Sequence, residues 1–190
     1  MPRLVLLICA LTLCAACSEP PQKEIDRAQG GIDAARAAGA DQYASAEITA
    51  ATTSLQQAHE AVDQRDYRLA LSRAVDASEH AQEAAKQAAD GKARARSEAE
   101  SAVHSATTAI QQLQTKLKTA TTLRLSESDL KPARQALSDA ERAVQKARAA
   151  LDKGGYLDAE RAVKGTADAI TKQIRDLDEL SRSRAARRRK

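Results

Sequence analysis

Apolar side chains recur along most of this chain in alternating steps of three and four, the spacing that gathers them on one face of a helix. One series runs Ile48, Ala51, Leu55, Ala58 and Val62; beyond a turn it resumes as Tyr67, Ala70, Ala74, Ala77, Ala81, Ala84 and Ala88. A second runs Leu130, Ala133, Leu137, Ala140, Val144, Ala147 and Leu151, then Tyr156, Ala159, Val163, Thr166, Ile170 and Leu177. Such alternation averages about 3.5 residues, the repeat of a left-handed coiled coil. Large residues alternate with alanine, so a Leu or Ile of one helix can lie over an Ala of another at close approach.

The two series match. Slid along itself so that Ile48 meets Leu137, the chain also sets Leu55 on Val144, Val62 on Leu151, Tyr67 on Tyr156, Ala70 on Ala159 and Ala74 on Val163. Each copy reads as helix, tight turn, Tyr, helix, with turns at Gln64-Arg65-Asp66-Tyr67 and Lys153-Gly154-Gly155-Tyr156. Short turns imply antiparallel pairing, and paired glycines end a helix by supplying positive φ.

Past Ala88 the seam continues through Ala95, Ala99, Ala102, Ala106, Ala109, Leu113 and Leu117, with Lys92 interrupting it. Asp90-Gly91 is a turn signal, but the phase survives it, so one helix from Asp66 to about Lys118 is expected, about 80 Å long at 1.5 Å per residue. Thr119 to Ser128 reads as a loop, with Ser128 or Asp129 capping the next helix ahead of Pro132. A short helix from Lys23 to Ala38 ends at Gly39, and Asp41 is a further candidate cap. The expected fold is all-α: elongated antiparallel helical hairpins or coiled coil, two related copies plus a short N-terminal helix.

Composition agrees with thin seams. There is no Trp and no Phe, only three Tyr, and roughly a quarter of the residues are alanine, which favours helix but buries little area. Thirty basic residues face 26 acidic ones, yet Arg182, Arg184, Arg187, Arg188, Arg189 and Lys190 crowd the end, leaving a mildly acidic body with a basic tail.

Arg3, an apolar run from Leu4 to Leu13, and the small residues Ala15 and Ala16 read as a signal peptide over 1–16. The run is too short for a permanent span, which takes about 20 apolar residues. Cys14-Ala15-Ala16-Cys17 resembles the bacterial lipoprotein signal, with Cys14 where Leu is usual and Leu13 one place early. The resemblance implies cleavage before Cys17 and acylation there, and Ser18 in place of Asp implies the outer membrane. Cys9, Cys14 and Cys17 are the three cysteines, so the body then has no disulfide and no thiolate metal site. The segments expected are a signal peptide 1–16, a spacer 17–22 after the lipidated Cys, a hairpin domain 23–118 with a long second helix, a loop 119–128, a second hairpin 129–181 and a basic tail 182–190.

The stretch from about Lys23 to Asp90 resembles a family of alanine-rich bacterial envelope lipoproteins with a helical domain of unknown function. The motifs are Gly39-Ala40, Tyr43-Ala44, and Asp66-Tyr67 followed by Ala70, Ala74, Ala77, Ala81 and Ala84; Ser45 stands where the family commonly has proline. The resemblance implies an envelope location and a helical fold, and no reaction. Asp66-Tyr67 with Ala70 is also similar to the second helix of a tetratricopeptide repeat, but these helices are too long and the period of about 34 residues is absent.

The residues suggest no enzyme. His59, His80 and His104 have no second His a turn away, and Glu79 and Glu83 beside His80 form no ligand set. No phosphate loop, nucleophile elbow or Cys-His pair occurs, and no cofactor or metal is expected. The tail Arg182, Arg184, Arg187, Arg188, Arg189 and Lys190 suits a helix end, where cations oppose the macrodipole, and also suits an anionic surface such as anionic lipid or peptidoglycan. Nucleic acid is not expected, since the signal removes the chain from that compartment and aromatics for base stacking are few. With its lipid, helices and terminal Lys190, the chain resembles in architecture the major murein lipoprotein, which implies a tether from Lys190 to the cell wall. The expectation is a non-catalytic, lipid-anchored periplasmic envelope protein, scaffold or spacer between membrane and cell wall. The alternative is a helical adaptor binding another envelope protein through its coiled-coil surface.

Overall fold

A computed structural model describes residues 19–188, and among them every regular element is an α-helix. In chain order these are α1 (Gln22–Ala37), α2 (Ala40–Tyr43), α3 (Ser45–Asp63), α4 (Tyr67–Thr122), α5 (Glu127–Asp152), α6 (Tyr156–Val163) and α7 (Thr166–Arg188). No described helix is long and apolar enough to cross a membrane. The chain divides into two compact units, one ending at Gly91 and the other beginning at Lys92, so the boundary falls inside α4.

In the first unit α1, α2, α3 and the opening half of α4 share one core. Ile25, Ala28, Ile32 and Ala35 of α1 meet Ile48, Ala51, Leu55 and Ala58 of α3 and Ala74, Ala77, Ala81, Ala84 and Ala88 of α4. Because most of these side chains are single methyls, the backbones approach closely: a Cβ added at Gly31 would lie 3.2 Å from the Ala81 Cβ. At the end of α1, Gly39 takes φ +97°, a conformation glycine adopts without steric cost. At the end of α3, Asp66 N donates to Ala61 O and Arg65 N to Val62 O, with Arg65 at φ +60°, the paired bonds of a Schellman ending. The Asp66 carboxylate then accepts from Leu69 N at 3.0 Å and caps α4.

Asp90-Gly91 is helical, and Gly91 has a different reason to be glycine. A Cβ there would lie 3.0 Å from the Tyr43 Cβ and 3.2 Å from the Tyr43 carbonyl oxygen. Gly91→Ala is therefore expected to destabilise by about 1 kcal/mol, the crowding of about 1–3 kcal/mol outweighing roughly 1 kcal/mol of helix propensity. Gly30→Ala, with nothing within 4 Å of its Cβ, is expected to stabilise by about 0.5–1 kcal/mol. Thermal unfolding of the pair checks that the signs are opposite.

The second unit packs the rest of α4 against α5, α6 and α7. Its core holds Val103, Ile110, Leu113 and Leu117 of α4, Leu130 and Val144 of α5, Val163 of α6, and Ile170 and Leu177 of α7. Lys116 Nζ bridges to Asp178 at 2.7 Å, tying α4 to α7, and Gln114 donates to Glu141 of α5 at 3.0 Å.

Here the local expectations need correction at three points. The helix expected to run on from Tyr156 breaks between α6 and α7, where Lys164 is extended (ψ 127°) and Gly165 takes φ +72°. Ala159, Val163, Ile170 and Leu177 are nevertheless all buried, so the break preserves the phase. The loop expected from Thr119 is helical as far as Thr122, because burial of Leu117 and Ala120 carries the apolar face on by one more turn; the Thr115, Thr119, Thr121 and Thr122 hydroxyls donate to backbone carbonyls of the preceding turn. The cap of α5 is Ser126, neither Ser128 nor Asp129. Ser126 Oγ accepts from Asp129 N at 3.3 Å while the Asp129 carboxylate accepts from Ser126 N at 3.3 Å, a reciprocal capping box.

Candidate anionic-surface interface

The basic tail continues α7. Arg182, Arg184 and Arg187 are exposed on it, and Arg188 is its last helical residue. The Arg188 side chain lies outside the described residues. So do Arg189, Lys190, Cys17, the signal segment 1–16, and with them Cys9 and Cys14. Positive side chains in the final turn oppose the partial negative charge of the helix end, which stabilises the helix by about 0.3–1 kcal/mol for each well-placed cation.

Arg184 and Arg187 are three apart and share a face with Leu180. Packing of α7 brings that face to the turn between α4 and α5, forming a shallow cleft of about 330 Å³. Arg124, Leu125, Ser126 and Asp129 line one wall; Leu180, Ser183, Arg184 and Arg187 line the other. Arg182 is not among the lining residues. Arg124 was not legible as a site residue, since it is isolated in sequence from every other Arg of the tail.

Charge in this cleft is unbalanced. No ion pair among the described residues engages Arg124, Arg184 or Arg187. The one carboxylate lining it, Asp129, already accepts from Ser126 Oγ at 2.6 Å as well as from Ser126 N. Arg124 N donates to Thr121 O, and Leu125 N to Ala120 O, closing α4 with Arg124 at φ +58°. That left-handed position costs a side-chain-bearing residue about 1–2 kcal/mol relative to glycine. Three arginines without an ion pair lining one depression suit binding of an anion, while the Ser126 and Ser183 hydroxyls there already donate to Asp129 and to Leu180 O.

Elsewhere the second unit has a larger open groove, about 540 Å³, lined by Lys146, Lys153, Gly155, Asp158, Arg161 and alanines where α5 turns into α6. Arg161 there is paired with Asp158 at 2.7 Å, so less of the positive charge is free. Of the histidines, His59 and His104 are exposed, while His80 Nδ1 lies 2.9 Å from Glu47 Oε2 across the first unit. Sequence reasoning weighed Glu79 and Glu83 as its neighbours and missed Glu47, which only the packing of α3 on α4 brings near. Among the described residues no three His, Cys, Asp or Glu side chains are grouped to hold a metal, and no polar or charged residue is buried.

Compared with protein-family models, with curated proteins and with solved structures, the chain matches none of them.

Proposed function

We propose that this is a non-catalytic, lipid-anchored envelope protein, acylated at Cys17, facing the periplasm from the outer membrane, and serving as scaffold or spacer toward the cell wall. The observation that carries the reading is the unpaired cluster of Arg124, Arg184 and Arg187 at the basic end of α7. It supports electrostatic engagement of an anionic envelope surface by that end, while the sequence around Cys17 supplies the lipid. Within the same proposal the two units are related antiparallel coiled-coil hairpins. In support, Tyr67 and Tyr156 each open the helix after a tight turn, at α4 and α6. Kinship with the alanine-rich envelope lipoproteins belongs here too, on Gly39-Ala40, Tyr43-Ala44 and Asp66-Tyr67.

A second reading, a helical adaptor for another envelope protein, is favoured by one observation. Leu69, Leu71 and Val75 are about 40% exposed on α4 just past Tyr67. An adaptor would retain one protein partner and lose it on substitution of Leu71 and Val75, with no dependence on the tail.

The test of the first reading is the salt-sensitive part of binding to phosphatidylglycerol-containing vesicles, because acyl insertion is not screened by salt. Ending the chain at Ser181 is expected to lower that component at least about tenfold, at about 1 kcal/mol for each cation near the surface. An unchanged salt-sensitive component would sink the reading.

A further inference from the structure

The basic end is more than a diffuse field: we infer that the cleft between the α4–α5 turn and α7 is a binding site for a phosphate ester. This rests on the reading of that end as an anionic-surface interface and narrows it to one chemical group. Arg124 comes from the turn, and Arg184 and Arg187 from α7, so the cations stand on two separate elements; the Ser126 and Ser183 hydroxyls already donate to Asp129 and to Leu180 O. A carboxylate offers two oxygens in a plane. A phosphate ester offers two or three unesterified oxygens around a tetrahedral centre, which suits arginines placed on two facing elements. Leu180 is 37% exposed and Leu125 half-buried beside them, which gives an apolar ledge next to the cations and suits an amphiphile carrying the phosphate.

Arg124 marks the difference between this site and the tail. In a diffuse field, removing Arg124 costs no more than removing any other exposed arginine of the unit, such as Arg175 on α7, which does not line the cleft. In a built site Arg124 is a direct ligand. Its left-handed position, φ +58°, is shared by Arg65 at the end of α3, so it is the place of Arg124 in the cleft wall, and not its backbone conformation, that sets it apart.

The experiment is a titration of the full chain, ¹⁵N-labelled at arginine and held in neutral detergent micelles, followed through the arginine Nε–H resonances. The probes are glycerol 3-phosphate, phosphatidylglycerol doped into the micelle, and acetate at matched ionic strength. Glycerol 3-phosphate is expected to move Arg124, Arg184 and Arg187 on a single isotherm, with acetate much weaker. Arg124→Gln is expected to weaken binding about tenfold, the loss of one charge-assisted contact, while Arg175→Gln changes it less than about twofold. Arg124→Gly serves as the folding control: it is expected to raise the unfolding temperature by about 2–4 °C while losing the site. Tighter binding of phosphatidylglycerol than of glycerol 3-phosphate assigns the site to a lipid headgroup; equal binding assigns it to soluble phosphate esters. The proposal is overturned if acetate binds as well as phosphate, or if Arg124→Gln and Arg175→Gln behave alike. Either of those results with salt-sensitive vesicle binding intact leaves the broader reading standing, whereas loss of all such binding removes both.

Discussion

Leu113→Ala is expected to cost about 2–5 kcal/mol, towards the upper end of that range. Leu113 is fully buried on α4, in a core where much of the surrounding surface is alanine, including Ala106, Ala109, Ala133, Ala140 and Ala147. Truncation removes the transfer free energy of the isobutyl group and leaves a void. Long flexible side chains can swing into such a void, but an alanine methyl on a fixed helix cannot, so the cavity persists with its full penalty. Ile170 and Leu177, equally buried on α7, should behave the same way. Urea unfolding monitored by helical circular dichroism measures it; a loss below about 1 kcal/mol would mean the site collapses easily and the seam is loosely packed.

The opposite substitution is expected to be nearly as damaging in the first unit. Ala81→Leu should destabilise by about 3 kcal/mol or more, at the high end of overpacking effects. Ala81 is 1% exposed, and Gly31 of α1 faces it so closely that even one methyl on Gly31 would lie 3.2 Å from the Ala81 Cβ. Three additional carbons on Ala81 have no room unless α1 moves away, which would uncover Ile25 and Ile32. The gain in helix propensity is close to zero, since Ala already ranks above Leu. A variant that unfolds at the parent's midpoint would show that α1 is not held against α4 in solution.

Much of this packing was legible, because burial on a helix is a local periodicity. Ile48, Ala51, Leu55 and Ala58, picked out by spacing, are all buried. Val62 is the instructive exception, half-buried while Ala61 beside it is 2% exposed. Both stand in the last turn of α3, where Ala61 O accepts from Asp66 N and Val62 O from Arg65 N, so their surroundings depend on the turn as well as on the period. Gly165 illustrates a different loss: a glycine free to take positive φ stood there in the sequence, but the apolar spacing on either side runs through it undisturbed. What could not be read locally were meetings between distant residues. Arg124 with Arg184, His80 with Glu47 and Lys116 with Asp178 depend on which helix faces pack together, and a period says nothing of that. The tail arginines announced themselves by crowding; the partner that turns two of them into a cleft did not.

Anchorage at Cys17 is the premise on which the envelope reading turns, and the intact mass of the native protein tests it most directly. The protein would be extracted from membranes after muramidase digestion of the cell wall and weighed whole. The expected result is the mass of residues 17 to 190 with acyl groups on Cys17, with a muropeptide increment as well if Lys190 is tethered. An unacylated chain beginning at any other residue would contradict the proposal.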